Sequence, residues 1–120
     1  MNYRSLGSSN LSVSEISLGC MSLKDIDLKA NEVIARVLDY GINFFDTADL
    51  YEFGLNEELV GTALQGKRED VILATKGGNE WSEARDGWRW NPSKNYLVKA
   101  VEDSLRRLKT DYIDLYQLHG

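Results

Sequence analysis

Cysteine, proline and histidine are nearly missing: the 120 residues hold one of each. The single cysteine, Cys20, leaves no internal disulfide. With His119 as the only histidine, no Cys/His zinc spacing can be written. A basic excess is missing too. Fourteen Lys and Arg stand against nineteen Asp and Glu, a net charge of -5. Nothing then neutralises phosphates in bulk, which argues against a nucleic-acid partner. No apolar run reaches the about 18 residues that a membrane span needs. The first ten residues, Met1 to Asn10, lack the apolar core of a signal peptide. The expectation is a cytoplasmic protein with no metal site and no membrane segment.

What is present is ordinary globular chemistry. Hydrophobic residues make 42% and charged residues 28%, and the length suits one small domain. Asn2 to Leu6 and Leu11, Val13 and Ile16 flank turn residues, so a hairpin opens the chain. Ile16 to Gly19 reads as a buried strand. A helical pattern begins at Asp27, with Val33, Ile34, Val37 and Leu38 on one face, and Gly41 follows where a left-handed residue is wanted. Ile42 to Phe45 is a strand ended by Asp46. Asn56 looks like the N-cap of a second helix, with Glu57 and Glu58 in its first turn and Leu59, Val60, Ala63 and Leu64 as its apolar face. Val71 to Ala74 is a continuous apolar run, as in a strand covered on both faces. Residues 77–92 read as a long loop. Pro92 precedes a helix whose stripe is Leu97, Val101, Leu105 and Leu108, and Tyr112 to His119 is the last strand.

Alternating strands and helices with short connections point to a parallel sheet with right-handed crossovers. About four β/α units are present, where a closed barrel needs eight strands and roughly 250 residues. A small open four-stranded α/β sheet is the other reading. In either, the last strand has an uncovered edge, through which self-association is conceivable.

In parallel α/β folds the chemistry sits at the C-terminal ends of strands. Those ends carry Gly19-Cys20-Met21, then Asp46 followed by Tyr51, then Lys76, then Gln117 and His119. A phenol can donate a proton, an ammonium beside it stabilises the phenolate that forms, a carboxylate keeps the ammonium charged, and an imidazole can hold a substrate oxygen. The set suits protonation of a carbonyl oxygen while hydride, which no side chain supplies, arrives from a cofactor. Each residue also has a plain structural use. Asp46 could cap a turn, Tyr51 could pack, Lys76 could be a solvated strand end, and His119 could be a hydrogen-bonded core residue.

Asp46-Thr47-Ala48-Asp49-Leu50-Tyr51, with Gly54, Asn56-Glu57 and Gly61, resembles the first signature of the aldo-keto reductases. Ile72 to Lys76 resembles the strand of their catalytic lysine. Asp103 to Leu108 and Asp111 to His119 resemble their helix and the strand of their catalytic histidine. Tyr3-Arg4-Ser5-Leu6-Gly7 and Leu18-Gly19-Cys20-Met21 fit as well, so the likeness covers essentially the whole chain. It is strongest to the bacterial branch related to potassium-channel β subunits. The resemblance implies a fold: the N-terminal half of a (β/α)8 TIM barrel, about four β/α units plus an N-terminal hairpin. It also implies that residues 1–120 are a single partial domain, truncated after the fourth barrel strand.

By position, the resemblance implies that Asp46, Tyr51, Lys76 and His119 are catalytic, with Tyr51 as general acid. Cys20, Met21 and Asp46 fall where the family touches its cofactor, NADPH. The implied reaction reduces a small carbonyl substrate, an aldehyde or ketone, to an alcohol. A non-catalytic cofactor-binding or regulatory subunit is the alternative. Two departures stand out. Glu52 and Phe53 come before Gly54, where the family often has glycine directly after the tyrosine. The family's segments for the nicotinamide ring, pyrophosphate and adenosine phosphate have no counterpart among these residues, so the isolated chain is expected to be inactive. Cys20 reads as a small buried thiol. Trp81, Trp88 and Trp90 crowd the loop after Lys76, either as the wall of a substrate pocket or as self-packing of the loop.

Overall fold

In the computed structural model, which describes residues 1–23 and 29–120, the opening hairpin is pinned beneath the main sheet. Strands β1 (Tyr3–Ser5) and β2 (Ser12–Ser14) pair antiparallel, Tyr3 against Ser14. Asn43 fastens this hairpin to the sheet: its Oδ1 accepts from the Ser14 N–H at 2.7 Å and its Nδ2 donates to the Ser12 carbonyl at 2.9 Å. The Tyr3 hydroxyl donates to the Gly41 carbonyl at 2.6 Å. Gly41 has a φ of +86°, and a Cβ there would lie 2.9 Å from that same hydroxyl, so both backbone and space require glycine.

The main sheet is parallel and ordered β3 (Leu18–Gly19), β4 (Phe44–Asp46), β5 (Ile72–Gly77), then a strand at Leu115–Leu118. Gly19 lies against Asp46, Asp46 against Ala74, and Ala74 against Leu115. Helix α1 (Lys29–Asp39) joins β3 to β4, α2 (Leu55–Ala63) joins β4 to β5, and α3 (Lys94–Leu108) leads to the last strand. The core lies between sheet and helices. Phe45 and Leu73 from the sheet meet Ile34 of α1, Val60 of α2 and Leu108 of α3, all at most 2% exposed. Burying each such side chain contributes about 1.5–3 kcal/mol.

Helix α3 starts as its sequence dictates: the Ser93 hydroxyl, just after Pro92, accepts from the Tyr96 N–H at 3.3 Å. It stops at Lys109, whose left-handed backbone (φ 57°) returns its N–H to the Arg106 carbonyl. Helices α2 and α3 touch backbone to backbone. A Cβ at Gly61 would sit 2.6 Å from the Leu108 carbonyl oxygen.

Four expectations from the sequence need correction or fall outside the described residues. Residues 77–92 are not a plain loop: β6 (Asn79–Trp81) and β7 (Trp88–Trp90) form an antiparallel hairpin, making the last sheet strand β8. A Glu80–Arg89 ion pair at 2.9 Å ties its two sides. Asn56 is not an N-cap. Gly54, with φ +89°, holds that place, and Asn56 turns inward. Ile16 is 59% exposed rather than buried, because the ladder begins only at Leu18. The helix start expected at Asp27 lies outside the described residues. Among the described residues, no helix is long and apolar enough to cross a membrane.

Candidate active site

The backbone after β4 does not leave the sheet at once. The Thr47 N–H donates to the Ala74 carbonyl at 2.9 Å and the Asp49 N–H to the Lys76 carbonyl at 3.1 Å. This zips the segment along β5 and delivers Tyr51 above the strand ends. Tyr51 opens a short turn, Tyr51–Gly54, in which Glu52 (φ 53°) and Phe53 (φ 47°) are both left-handed. Two such residues in succession are costly for side chains with a Cβ, and neighbours must hold them. One is visible: the Phe53 ring meets the Trp81 ring edge-on, centroids 6.0 Å apart.

Lys76, near the end of β5, is the hub. Its ammonium donates to both carboxylate oxygens of Asp46 at 2.9 Å, to the Thr47 carbonyl at 2.8 Å and to the Tyr51 hydroxyl at 3.4 Å. The last strand ends in His119, whose N–H bonds the Gly77 carbonyl at 2.8 Å. The imidazole stands perpendicular to the Tyr51 ring, centroids 5.9 Å apart at 87°. Among the described residues its Nδ1 is buried without a partner. Burial first, and the Lys76 charge second, pull the His119 pKa below its ordinary value, with Asp46 opposing. The ring is therefore neutral at pH 7, with one N–H to offer and one nitrogen free.

Asp46, Tyr51, Lys76 and His119, expected from the strand ends and from the family resemblance, thus lie together. The other candidates divide. Cys20 is wholly buried, its N–H on the Asp46 carbonyl at 2.8 Å and its thiol pushed up to about 12 by burial and by the Asp46 charge. Met21, the next residue, is 59% exposed. Trp81 is engaged by Phe53 and by the Arg107 guanidinium, 5.5 Å above its ring. Trp88 and Trp90 are exposed on the hairpin.

Behind the site lies a polar layer that the sequence reading missed. Glu57 is fully buried, accepting from Thr75 at 2.7 Å and from Arg107 at 2.8 Å. Asn56 accepts from Thr47 at 2.5 Å. Asp49 is 1% exposed, and its carboxyl is pushed up to about 7, by burial first and by the Glu57 carboxylate second, with Arg107 opposing. A signal for the first two existed. Asn56 and Glu57 fall three, four and seven residues before Val60, Ala63 and Leu64, so they share the buried stripe of α2.

The profile of the aldo/keto reductase family matches residues 15–120. An uncharacterized oxidoreductase of Bacillus subtilis (strain 168), YqkF, is 57% identical over 120 residues, which are 100% of this chain and 39% of that protein. An aldo-keto reductase from Bacillus halodurans, solved in its holo form, superposes with a TM-score of 0.96 at 59% identity, over 100% of this chain and 40% of that one. An aldo-keto reductase from Klebsiella pneumoniae, solved in complex with NADPH, superposes with a TM-score of 0.72 at 31% identity, over 90% of this chain and 36% of that one. The chain therefore spans about two fifths of the length of the relatives it matches, and its four-stranded sheet is part of a barrel.

Proposed function

Because the chain belongs to the aldo/keto reductase family, we propose that it carries the proton-transfer part of an NADPH-dependent reductase, with Tyr51 as general acid. The substrate is an aldehyde or ketone and the product an alcohol. The observation that supports this most directly is the Lys76 ammonium, held by Asp46 at 2.9 Å and in contact with the Tyr51 hydroxyl at 3.4 Å. We also read residues 1–120 as a single unit of the barrel, since one core runs from the sheet to all three helices.

The Tyr51 hydroxyl gives its proton to the carbonyl oxygen as the carbonyl carbon takes up hydride. The phenolate left behind lies against Lys76, whose charge stabilises it, and solvent returns the proton. Asp46 pairs with the Lys76 ammonium through both carboxylate oxygens and fixes its position. The neutral His119 ring donates an N–H to the same carbonyl oxygen and so orients it.

NADPH, when bound, supplies the hydride. The residues present fit its reacting end. The Asp46 side chain is 34% exposed, and Met21 stands one residue beyond the N–H that bonds the Asp46 carbonyl. Cys20 offers the cofactor no polar group, since the residue is wholly buried with its N–H on the Asp46 carbonyl and its own carbonyl accepting from Asn56 and Leu23. Lys76 and Arg107 are already paired with Asp46 and Glu57. We therefore assign the dinucleotide phosphates to the part of the barrel that the relatives have and this chain does not span. We propose Trp88 and Trp90, exposed on the hairpin that follows Lys76, as one wall of the substrate pocket.

The test is a fluorescence titration of the chain with NADPH, its mass in solution measured in parallel. Saturable binding with aldehyde reduction supports the reading, and an oligomer would mean that copies supply each other's missing walls. Saturable binding without turnover favours a cofactor-binding subunit. No binding in large cofactor excess removes reductase activity from this chain by itself.

A further inference from the structure

Two side chains on the first turn of α2 do not touch the proton-transfer groups, yet they are buried more deeply than any of them: Asn56 is 1% exposed and Glu57 0%. Burying an amide and a carboxylate is costly unless each finds partners, and a fully partnered buried pair fixes geometry. Asn56 accepts from the Thr47 hydroxyl at 2.5 Å and donates to the carbonyls of Cys20 and Leu23 at 2.7 and 3.1 Å. Glu57 accepts from the Thr75 hydroxyl at 2.7 Å and from Arg107 at 2.8 Å. Thr47 directly follows Asp46, and Thr75 directly precedes Lys76.

Neighbouring residues of one helix thus grip both strand ends from behind. Side chains alternate along a strand. With Thr75 tied outward to Glu57, Lys76 is aimed the other way, at Asp46 and Tyr51. With Thr47 tied to Asn56, its carbonyl oxygen is held 2.8 Å from the Lys76 ammonium. The same helix follows directly on the turn that Tyr51 opens. We propose that Asn56 and Glu57 are positioning residues that lock α2 to the ends of β4 and β5 and thereby set the separation of the Tyr51 hydroxyl from the Lys76 ammonium. That contact, at 3.4 Å, is the longest Lys76 makes at the site, so it is the first to open when α2 shifts. The consequence for catalysis rests on the reading of Tyr51 and Lys76 given above; the clamp itself does not.

The test replaces each hydroxyl by a methyl of the same shape, Thr75→Val and Thr47→Val, with Thr75→Ser as the restoring variant. Cooperative thermal unfolding checks the fold. The ¹⁵N resonance of the Lys76 ammonium reports its hydrogen bonding whether or not the chain turns over. Aldehyde reduction with NADPH gives kcat and KM. Both valine variants should shift or lose the Lys76 resonance, with kcat down about 10-fold and KM within about twofold, while Thr75→Ser restores both. An unchanged Lys76 resonance in both valine variants overturns the clamp, whatever the kinetics. A shifted resonance in a chain whose wild type reduces nothing keeps the clamp and removes reductase activity from this chain by itself. If one valine variant fails to fold, the other decides, since it cuts the clamp at its opposite end. If both fail, the resonance in Glu57→Gln, which keeps the side chain's shape, decides.

Discussion

Asp46 receives the Lys76 ammonium through both of its carboxylate oxygens, each at 2.9 Å. A symmetric pairing of this kind holds the charge of Lys76 and its direction at once. Lys76→Met removes the charge that stabilises the Tyr51 phenolate while keeping most of the side chain's length. In a form that carries the whole barrel, turnover should fall by about 10²–10⁴-fold in an NADPH oxidation assay. A rate near that of wild type would contradict the stabilising role given to Lys76.

Tyr51→Phe removes only the hydroxyl and keeps the ring that packs against His119. In the same whole-barrel form, reduction should be lost, again by about 10²–10⁴-fold, while NADPH affinity changes by less than about twofold. Fluorescence titration beside the rate assay separates the two effects. Retained reduction would take the acid role away from Tyr51.

Gly61→Ala would place a methyl 2.6–2.7 Å from the Leu108 backbone. Backbone cannot swing aside as a long side chain can, so α2 and α3 must separate. A loss of about 1–3 kcal/mol in urea unfolding is expected. Gly66→Ala is the contrast: a Cβ there meets nothing within 4 Å, and only its φ of +79° opposes the change.

Asp49 links stability to pH. Folded, it holds its proton up to about pH 7; unfolded, it releases it near 3.8. Between those values the folded chain binds more protons than the unfolded one. Its contribution is thus complete below the unfolded pKa and is lost as pH rises through the folded one. From about pH 5 to about pH 7 the wild type should lose roughly 2 kcal/mol through this group. Asp49→Asn should flatten that slope. Urea midpoints across the range check it, and equal slopes in the two proteins would contradict the buried, protonated Asp49.

The parallel sheet was legible because Val71–Ala74 is apolar throughout and the helix stripes are clean. Asp46, Lys76 and His119 were legible because the strand ends themselves could be placed; Tyr51, on a turn beyond β4, was legible from the Asp46-to-Tyr51 motif. Asn56 and Glu57 were misread because N-caps and buried networks use the same residue types, and only the phase of Val60, Ala63 and Leu64 tells them apart. The β6–β7 hairpin was missed because three-residue strands give too little alternation to count. Asp49 gave no sign at all: its perturbation arises from burial first and the Glu57 carboxylate second, with Arg107 opposing, an environment that only folding creates.

The proton-transfer groups come from neighbouring strands in chain order. Lys76 is 25 residues from Tyr51 and 30 from Asp46, each pair separated by little more than one crossover. Loops of that size close at modest entropic cost, and the closure is local rather than spanning a whole barrel. A nascent polypeptide leaving the ribosome amino end first would therefore bring tyrosine, lysine and aspartate together early. Any dinucleotide grip contributed by later strands would then dock onto chemistry already in place.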